Sequence, residues 1–593
     1  MNSSISNNVS ELHSALSDYI EATYHISDPA LVEQRRSLLN TLGVIHQEAF
    51  LESTPKYISG EKFSSIKGLH PAVLQLFSEL SKASETEKQI IFDPPYKHQL
   101  EAVKGTLVDR KNLMIMTGTG SGKTESFLFP ILGKLMREAA ENSNAFKTNN
   151  AVRALILYPM NALVNDQLGR VRNLFQDARL KSLFRLNADR VPTFARYTSR
   201  TPYPGIREKK KDQSKLDSFD KFYVEIEQAT TSTDIKEREA ALQLMKELKA
   251  KGKWPAKPSL SKWYGGKGSH WQDKDGSFLR ANTLSDDSEL ITRQEAQISP
   301  PDLLITNYSM LEYMLMRPIE RSIFEKTVAW LSENPEEKFL IVIDEAHLYR
   351  GAAGAEVGLL LRRLRERLSI PPERFQVICS TASFGDEEYA LKFASQLSGV
   401  SSESFIPITS SFNKKPNENS ATQNDITLLS AIDLKRFYDA VGEDRLSYIE
   451  PFLANRDVEY SNSIEAALYQ ALKDYEPLNK LVNLTMGQAT PLSELGQAIF
   501  PIEKEVADKA LAALLALGSM AKDPQTSSGL LPCRIHNFFR GLPGLWVCID
   551  ENCTAIDQSM KSDFCGKLYG QPREYCECGS RVFELYTCRN CGT

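Results

Sequence analysis

An α/β fold built on a parallel sheet is predicted for the central part of the chain, and three observations predict it. Short apolar runs recur at Leu113–Met116, Ala154–Tyr158, Leu303–Thr306, Phe339–Ile343 and Gln376–Cys379, separated by helical patterns, as buried parallel strands require. The first run opens into a loop of small residues, Thr117-Gly118-Thr119-Gly120-Ser121-Gly122-Lys123-Thr124, ahead of a helical segment. The fourth run ends in two acids, Asp344 and Glu345.

The remaining elements follow in order. Residues 1–85 are polar, with Leu12, Leu16, Tyr19 and Ile20 and then Tyr24, Leu38, Leu39 and Leu42 at helical spacing, so an N-terminal helical accessory region is expected. The sheet domain spans 86–400. Within it, 205–298 break the strand rhythm, carry Lys209-Lys210-Lys211-Asp212 near their start, and read as an insertion on the sheet rim. Residues 401–530 form a linker and helical domain, opening on a Ser- and Asn-rich stretch. There Thr490 is the expected N-cap and Pro491 the first helical residue, followed by Leu495, Ile499, Val506, Ala510, Leu514 and Leu517. Two short helices of this kind fit a DNA-reading helix-turn-helix or winged helix, or any small helical bundle. The Cys-rich end, 531–593, is read as a zinc-binding module that is incomplete.

Composition limits the function. The chain has 593 residues, 71 Lys plus Arg against 76 Asp plus Glu, and a net charge of −5, so any nucleic-acid surface is local rather than global. No window approaches the ~18 unbroken apolar residues of a membrane span, and the amino terminus lacks the basic-then-apolar order of an export signal. A cytoplasmic protein without a membrane partner is expected. Eight of nine cysteines lie in the last 61 residues, a clustering that favours metal ligands over disulfides.

The loop and the acids point to ATP and Mg²⁺. Backbone N–H groups of a Gly-rich loop at a helix amino terminus wrap phosphates, Lys123 reaches the β and γ oxygens, and the Thr124 hydroxyl binds Mg²⁺. Asp344 holds the metal through water, and Glu345 orients and deprotonates the attacking water. The first loop position is Thr117 rather than Gly, a departure from the strict pattern. Lys123 and Asp344 are 221 positions apart, which the 94-residue insertion accounts for within one lobe.

With both motifs in order, residues 85–400 resemble a superfamily 2 helicase of the DEAH/DEAD kind. Tyr96-Lys-His-Gln99 resembles the adenine-reading Q element, and Tyr158-Pro159-Met-Asn161-Ala-Leu-Val-Asn-Asp-Gln167 resembles motif Ia. Pro301-Asp-Leu-Leu-Ile-Thr306-Asn307-Tyr308-Ser-Met-Leu resembles motif Ib, and Ser380-Thr381-Ala-Ser383 stands where the family has its coupling motif. The resemblance implies a RecA-like lobe with Lys123, Asp344, Glu345 and His347 as its catalytic set and an adenine contact from Gln99. It further implies that Pro159, Asn161, Thr306 and Asn307 lie along the DNA backbone, with RNA possible, and that Ser380 and Thr381 link hydrolysis to lobe movement.

Tyr308–Tyr313, Asp344-Glu-Ala-His-Leu-Tyr-Arg-Gly-Ala-Ala353, Leu531–Arg540 and the Cys-rich end carry a closer resemblance. It is to the large zinc-containing bacterial phage-defence helicases of the Druantia type and to related repair helicases, and it implies antiviral defence or DNA repair. Such a motor needs a second RecA-like lobe with an arginine finger in a Gln-x-x-Gly-Arg-x-Gly-Arg segment, and no such segment follows Ser383. The second lobe is expected from a longer or adjacent polypeptide, and the isolated chain is expected to hydrolyse ATP slowly, since such a finger contributes ~10³–10⁵ in rate. The alternative is a non-motor nucleic-acid or partner-binding module that uses ATP as a switch or not at all.

The cysteines form three pairs, Cys548/Cys553, Cys576/Cys578 and Cys588/Cys591. Either the last two pairs close a zinc ribbon, or Cys548, Cys553, Cys576 and Cys578 form the site and Cys588 and Cys591 await other partners. Zn²⁺ is the expected metal and an iron–sulfur cluster its competitor. In the insertion, Lys246–Lys267 holds seven Lys with Trp254, Trp263 and Tyr264 interleaved and Trp271 following. This fits single-strand binding by stacking, or a solvated loop anchored by a few aromatics. Arg534, His536 and Arg540 fit a DNA or second-lobe contact, or packing around Trp546.

Overall fold

The computed structural model describes residues 5–54, 57–83, 89–118, 120–202, 216–265, 278–415, 422–441, 443–458, 463–588 and 591–592. The chain divides into two units, Tyr57–Ser411, and Met1–Lys56 with Phe412–Thr593. In the first, eight strands form one parallel sheet: β2 (Asn112–Met116), β3 (Ala154–Tyr158), β4 (Phe194–Tyr197), β5 (Glu289–Leu290), β6 (Leu303–Asn307), β7 (Phe339–Ile343), β8 (Phe375–Thr381) and β9 (Phe405–Thr409), after β1 (Phe50–Ser53) of the other unit. Their order is β5-β4-β6-β3-β7-β8-β2-β9. β2, β3, β6, β7 and β8 are buried along their whole length. Alternate residues feed two cores: Leu113 and Ile115 join the one containing helix Glu125–Glu141, Met114 and Met116 the one containing helix Gly351–Arg367.

This topology builds the site. β8 lies between β2 and β7, with Met116 opposite Thr381 and Ile343 opposite Cys379. On the far side of β7, Leu157 of β3 stands opposite Ile343, and Tyr158 opposite Asn307 of β6. The phosphate loop, the acids and the coupling segment therefore leave adjoining strand ends on one edge, where ligands bind in such sheets.

The observed boundaries differ from those predicted at 85 and 400. Helix Pro71–Ser81 sends Val73, Leu76, Phe77 and Leu80 into the sheet's core, so residues from 57 onward belong to this unit. β9, inside the predicted linker, extends the sheet to Thr409 by pairing with β2, and the unit runs to Ser411. The predicted insertion also contributes β5, a short edge strand beside β4. Its described residues enclose a small core of Leu216, Val224, Leu248, Trp254, Leu260, Trp263, Tyr264 and Ala281. Since Trp254, Trp263 and Tyr264 are at most 3% exposed, they anchor this fold and present no faces for bases to stack on. Lys257 is likewise buried, between Asp287 and Glu295 at 2.6 and 2.9 Å. Lys209–Asp212, Lys267 and Trp271 lie outside the described residues.

The other unit holds helices Ile5–Thr23 and Pro29–Asn40, a helical core, and six short strands. β10 (Thr490–Pro491) and β11 (Cys533–His536) flank β1 in an antiparallel sheet, and β12 (Trp546–Cys548) lies between β13 (Leu568–Tyr569) and β14 (Val582–Glu584). Thr490 and Pro491 thus pair as a strand, and Pro491 is itself the N-cap of helix Leu492–Ile499, one position later than predicted. Helix Lys504–Met520 buries Ala507, Ala510, Leu511 and every residue from Ala513 to Gly518. Its exposed residues are Lys504, Glu505, Lys509 and Ser519, a mixed surface with no basic reading face, so the bundle reading is the one that fits. Neither His536 nor Arg540 turns to Trp546: His536 pairs with Glu52 at 2.7 Å, and Arg540 donates to the carbonyls of Val44 and Gly43, both at 2.6 Å.

Candidate nucleotide and metal sites

The loop after β2 turns on two glycines with left-handed backbones, Gly120 (φ 82°) and Gly122 (φ 73°), a conformation that costs a side chain dearly. A Cβ on Gly122 would also fall 2.4 Å from Gln99 Nε2. That contact reflects how the loop is held. Gln99 Nε2 donates to the Gly122 carbonyl and its Oε1 accepts from the Tyr96 amide, both at 3.1 Å. The Gln99 amide therefore ties the phosphate loop to the start of helix Lys97–Leu107. His98, whose pKa burial lowers, bonds the Ser121 carbonyl at 2.9 Å, and the Ser121 hydroxyl donates to Thr117 Oγ1 at 2.9 Å. Thr124 is the N-cap of the 17-residue helix Glu125–Glu141, which begins directly at the loop, and helix amino termini favour anions. Gly118 lies on the same loop, and Thr119 is outside the described residues.

Across the strand ends, Lys123 pairs with Glu345 and stands 3.7 Å from Asp344. Glu345 itself adopts a left-handed backbone (φ 50°) where β7 gives way to a short turn. Burial pushes the Asp344 carboxyl upward, against the pull of the Lys123 ammonium and of the Ser380 hydroxyl that donates to it. Thr381 closes the arrangement: its carbonyl accepts from the Thr117 amide at 3.1 Å and its hydroxyl meets His347 Nδ1 at 3.0 Å. His347 Nδ1 is also 3.4 Å from Glu345. The His347 ring thus bridges the acid turn to the coupling segment. The donor set fits ATP and Mg²⁺, with one ammonium and a helix terminus for phosphate and hard oxygens for the metal.

The four expected nucleic-acid contacts separate into two kinds. Thr306 is fully buried and donates to the Tyr197 carbonyl at 2.6 Å, because β6 lies inside the sheet with β4 beside it. Asn307 caps helix Tyr308–Met316, accepting from the Met310 amide at 2.8 Å and donating to Asn161 Oδ1 at 2.7 Å. Both side chains are thus engaged within the protein. Pro159 and Asn161 remain half-exposed.

A second constellation sits in the other unit. Cys548, Cys553, Cys576 and Cys578 place their sulfurs within 4.8 Å of one another, with Cys548 to Cys578 at 3.6 Å and Cys553 to Cys576 at 3.5 Å. Those spacings are far beyond the ~2.05 Å of a disulfide. They match the ~3.8 Å between sulfurs held tetrahedrally at ~2.3 Å from zinc. Gly566 allows the closure, since a Cβ there would lie 2.4 Å from Cys553 Cβ. Tyr569 donates to Cys576 Sγ at 3.1 Å, a supporting bond of the kind that orients metal ligands. The backbone and hydroxyl of Ser580 lower the Cys578 thiol to about 6, whereas burial raises Cys548 and Cys553. Of the two pairings open in the sequence, the ribbon of Cys576, Cys578, Cys588 and Cys591 is therefore not formed. Cys588 and Cys591 lie on a separate exposed turn, where the Gly592 amide donates to the Cys588 carbonyl and the Gly592 carbonyl accepts from the Ser27 amide at 3.0 Å.

A phosphate loop, an acid pair and a coupling segment on adjoining parallel strands define a helicase-type ATP-binding lobe. Residues 96–200 match the DEAD/DEAH box helicase family, and residues 568–593 match the YjiV N-terminal domain. Along its entire length the chain is 38% identical to Druantia protein DruE of Escherichia coli (strain UMEA 4076-1), of which it spans 33%. It is 27% identical to the uncharacterized ATP-dependent helicase MJ1574 of Methanocaldococcus jannaschii over 19% of this chain and 15% of that one. The chain thus spans a third or less of these relatives' lengths. Among solved structures, the DUF1998 helicase MrfA bound to DNA and AMPPNP aligns over 77% of this chain and 43% of that one, at 16% identity and a TM-score of 0.32.

Proposed function

We propose that the chain is the ATP-binding motor lobe of a DNA-dependent ATPase, a helicase or translocase of bacterial phage defence or DNA repair. A second RecA-like lobe, from a longer or adjacent polypeptide, completes it. The observation that carries this reading is the meeting of Lys123 with Asp344 and Glu345, tied through Ser380 to the coupling segment. Lys123 binds the terminal phosphates, Asp344 and Thr124 hold Mg²⁺, and Glu345 takes the proton of the attacking water. Bound Mg²⁺ neutralises charge on the transferring phosphoryl group. Pro159 and Asn161 offer exposed groups for a strand. Identity to a Druantia protein over the whole chain supports the defence role, and coverage of 33% of that relative supports a larger machine. Zn²⁺ fills the four-cysteine site, and the protein works in the cytoplasm.

The test is steady-state ATP hydrolysis by the purified chain alone and with single-stranded DNA, duplex DNA or RNA, beside Lys123→Ala and Glu345→Gln. Slow turnover that DNA stimulates and both substitutions abolish is expected. DNA binding that ignores ATP, with no turnover under any condition, would contradict the motor and favour a binding module.

A further inference from the structure

We propose that Gln167 is a positioning residue for the metal that accompanies ATP: it fixes the Thr124 hydroxyl and thereby ties the helix beginning at Asn161 to the nucleotide site. The inference rests on the nucleotide reading above. Thr124 Oγ1 donates to Gln167 Oε1 at 3.2 Å, and one turn further along the same helix Arg170 pairs with Glu125 at 3.0 Å. Helix Asn161–Phe175 therefore grips both the cap and the first residue of helix Glu125–Glu141. Residues three apart share a helix face, so Gln167 and Arg170 form one contact surface.

The direction of the Thr124 bond matters. A hydroxyl has one proton and two lone pairs, and a metal ion needs a lone pair. With the proton committed to Gln167, the lone pairs of the buried Thr124 oxygen stay available. The amide orientation that achieves this is fixed by its other end, because Gln167 Nε2 faces the Asp166 carboxylate at 3.4 Å. A flipped amide would set its carbonyl against that carboxylate and aim an N–H at Thr124, consuming a lone pair. The helix starts at Asn161, which accepts from Asn307 at 2.7 Å and is proposed to meet a nucleic-acid strand. A shift imposed on Asn161 is passed along the helix to Gln167 and so to the metal ligand.

The experiment titrates Mg²⁺ into the intact chain with a fluorescent methylanthraniloyl-ATP and reads binding, alongside the melting midpoint without nucleotide. Gln167→Ala is expected to raise the half-saturating Mg²⁺ concentration by about 3- to 10-fold, the value of one hydrogen bond. Binding without added Mg²⁺ and the melting midpoint stay unchanged. Gln167→Ala added to Thr124→Val causes no further loss. An unchanged Mg²⁺ midpoint in Gln167→Ala, or losses that add in the double variant, would overturn the role of Gln167 while leaving the nucleotide site intact. A wild-type chain that binds no nucleotide at any Mg²⁺ concentration would overturn the nucleotide reading and this inference with it.

Discussion

Glu337 shows how a buried charge in this lobe is maintained. Its carboxylate meets Lys134 at 2.6 Å and Arg137 at 2.7 Å from helix Glu125–Glu141, which follows the phosphate loop. Burial works to raise its pKa, but the two cations outweigh burial and hold it at about 2, below the ordinary 4.5. A carboxylate depressed on folding stabilises the fold fully above its unfolded value and loses that contribution as pH falls towards the folded one. The contribution is on the order of 3 kcal/mol. Acid unfolding followed by circular dichroism should therefore show stability falling between pH 4.5 and about 2, and Glu337→Gln should flatten that slope and lower stability at neutral pH. At this scale the sequence is uneven in what it reveals. Lys123, Asp344 and Glu345 were legible because their chemistry demands those residue types beside a strand end. For Thr306 and Gln99 the motif names a residue without saying that its polar atoms already have protein partners. Gln167 stood within a recognised motif, but its link to Thr124 is a tertiary contact that spacing does not encode.

Among elements, the insertion and the cysteine module each close on a glycine, Gly252 and Gly566. Gly252 (φ 63°) in the insertion approaches Gly169 of helix Asn161–Phe175 so closely that an added Cβ would lie 2.5 Å from the Gly169 carbonyl oxygen. Arg172 of that helix, meanwhile, pairs with the buried Glu289 at 2.7 Å. Gly252→Ala should loosen the insertion, seen as faster limited proteolysis within 205–298, with ATP binding kept. In the cysteine module, elemental analysis should find one zinc per chain, lost in Cys553→Ser and retained in Cys588→Ser. Loss on replacing Cys588 would revive the ribbon pairing. The interior strands β2, β3, β6, β7 and β8 were legible as continuous apolar runs, since both of their faces are covered. β4, β5 and β9 were not: they lie towards the sheet's edges, two of them are only partly apolar, and β9 contains Pro407, which an outermost strand tolerates. The insertion's tryptophans were ambiguous because periodicity does not distinguish a buried aromatic from an exposed one.

For the whole molecule, the decisive feature is the strand order, which no local pattern reveals. Placing β8 between β2 and β7 brings Thr381 against Thr117 and His347, so the coupling segment touches the phosphate loop and the acid turn at once. Among the described residues one parallel sheet of this kind is present. The central claim is that this edge binds ATP with Mg²⁺ through Lys123. Isothermal titration of ATP into the purified chain with Mg²⁺ tests it most directly. The account predicts saturable binding at one site per chain, weakened about 10- to 100-fold by Lys123→Ala through loss of a charged hydrogen bond. Equal binding by the wild type and Lys123→Ala, or none by either folded protein, would contradict it.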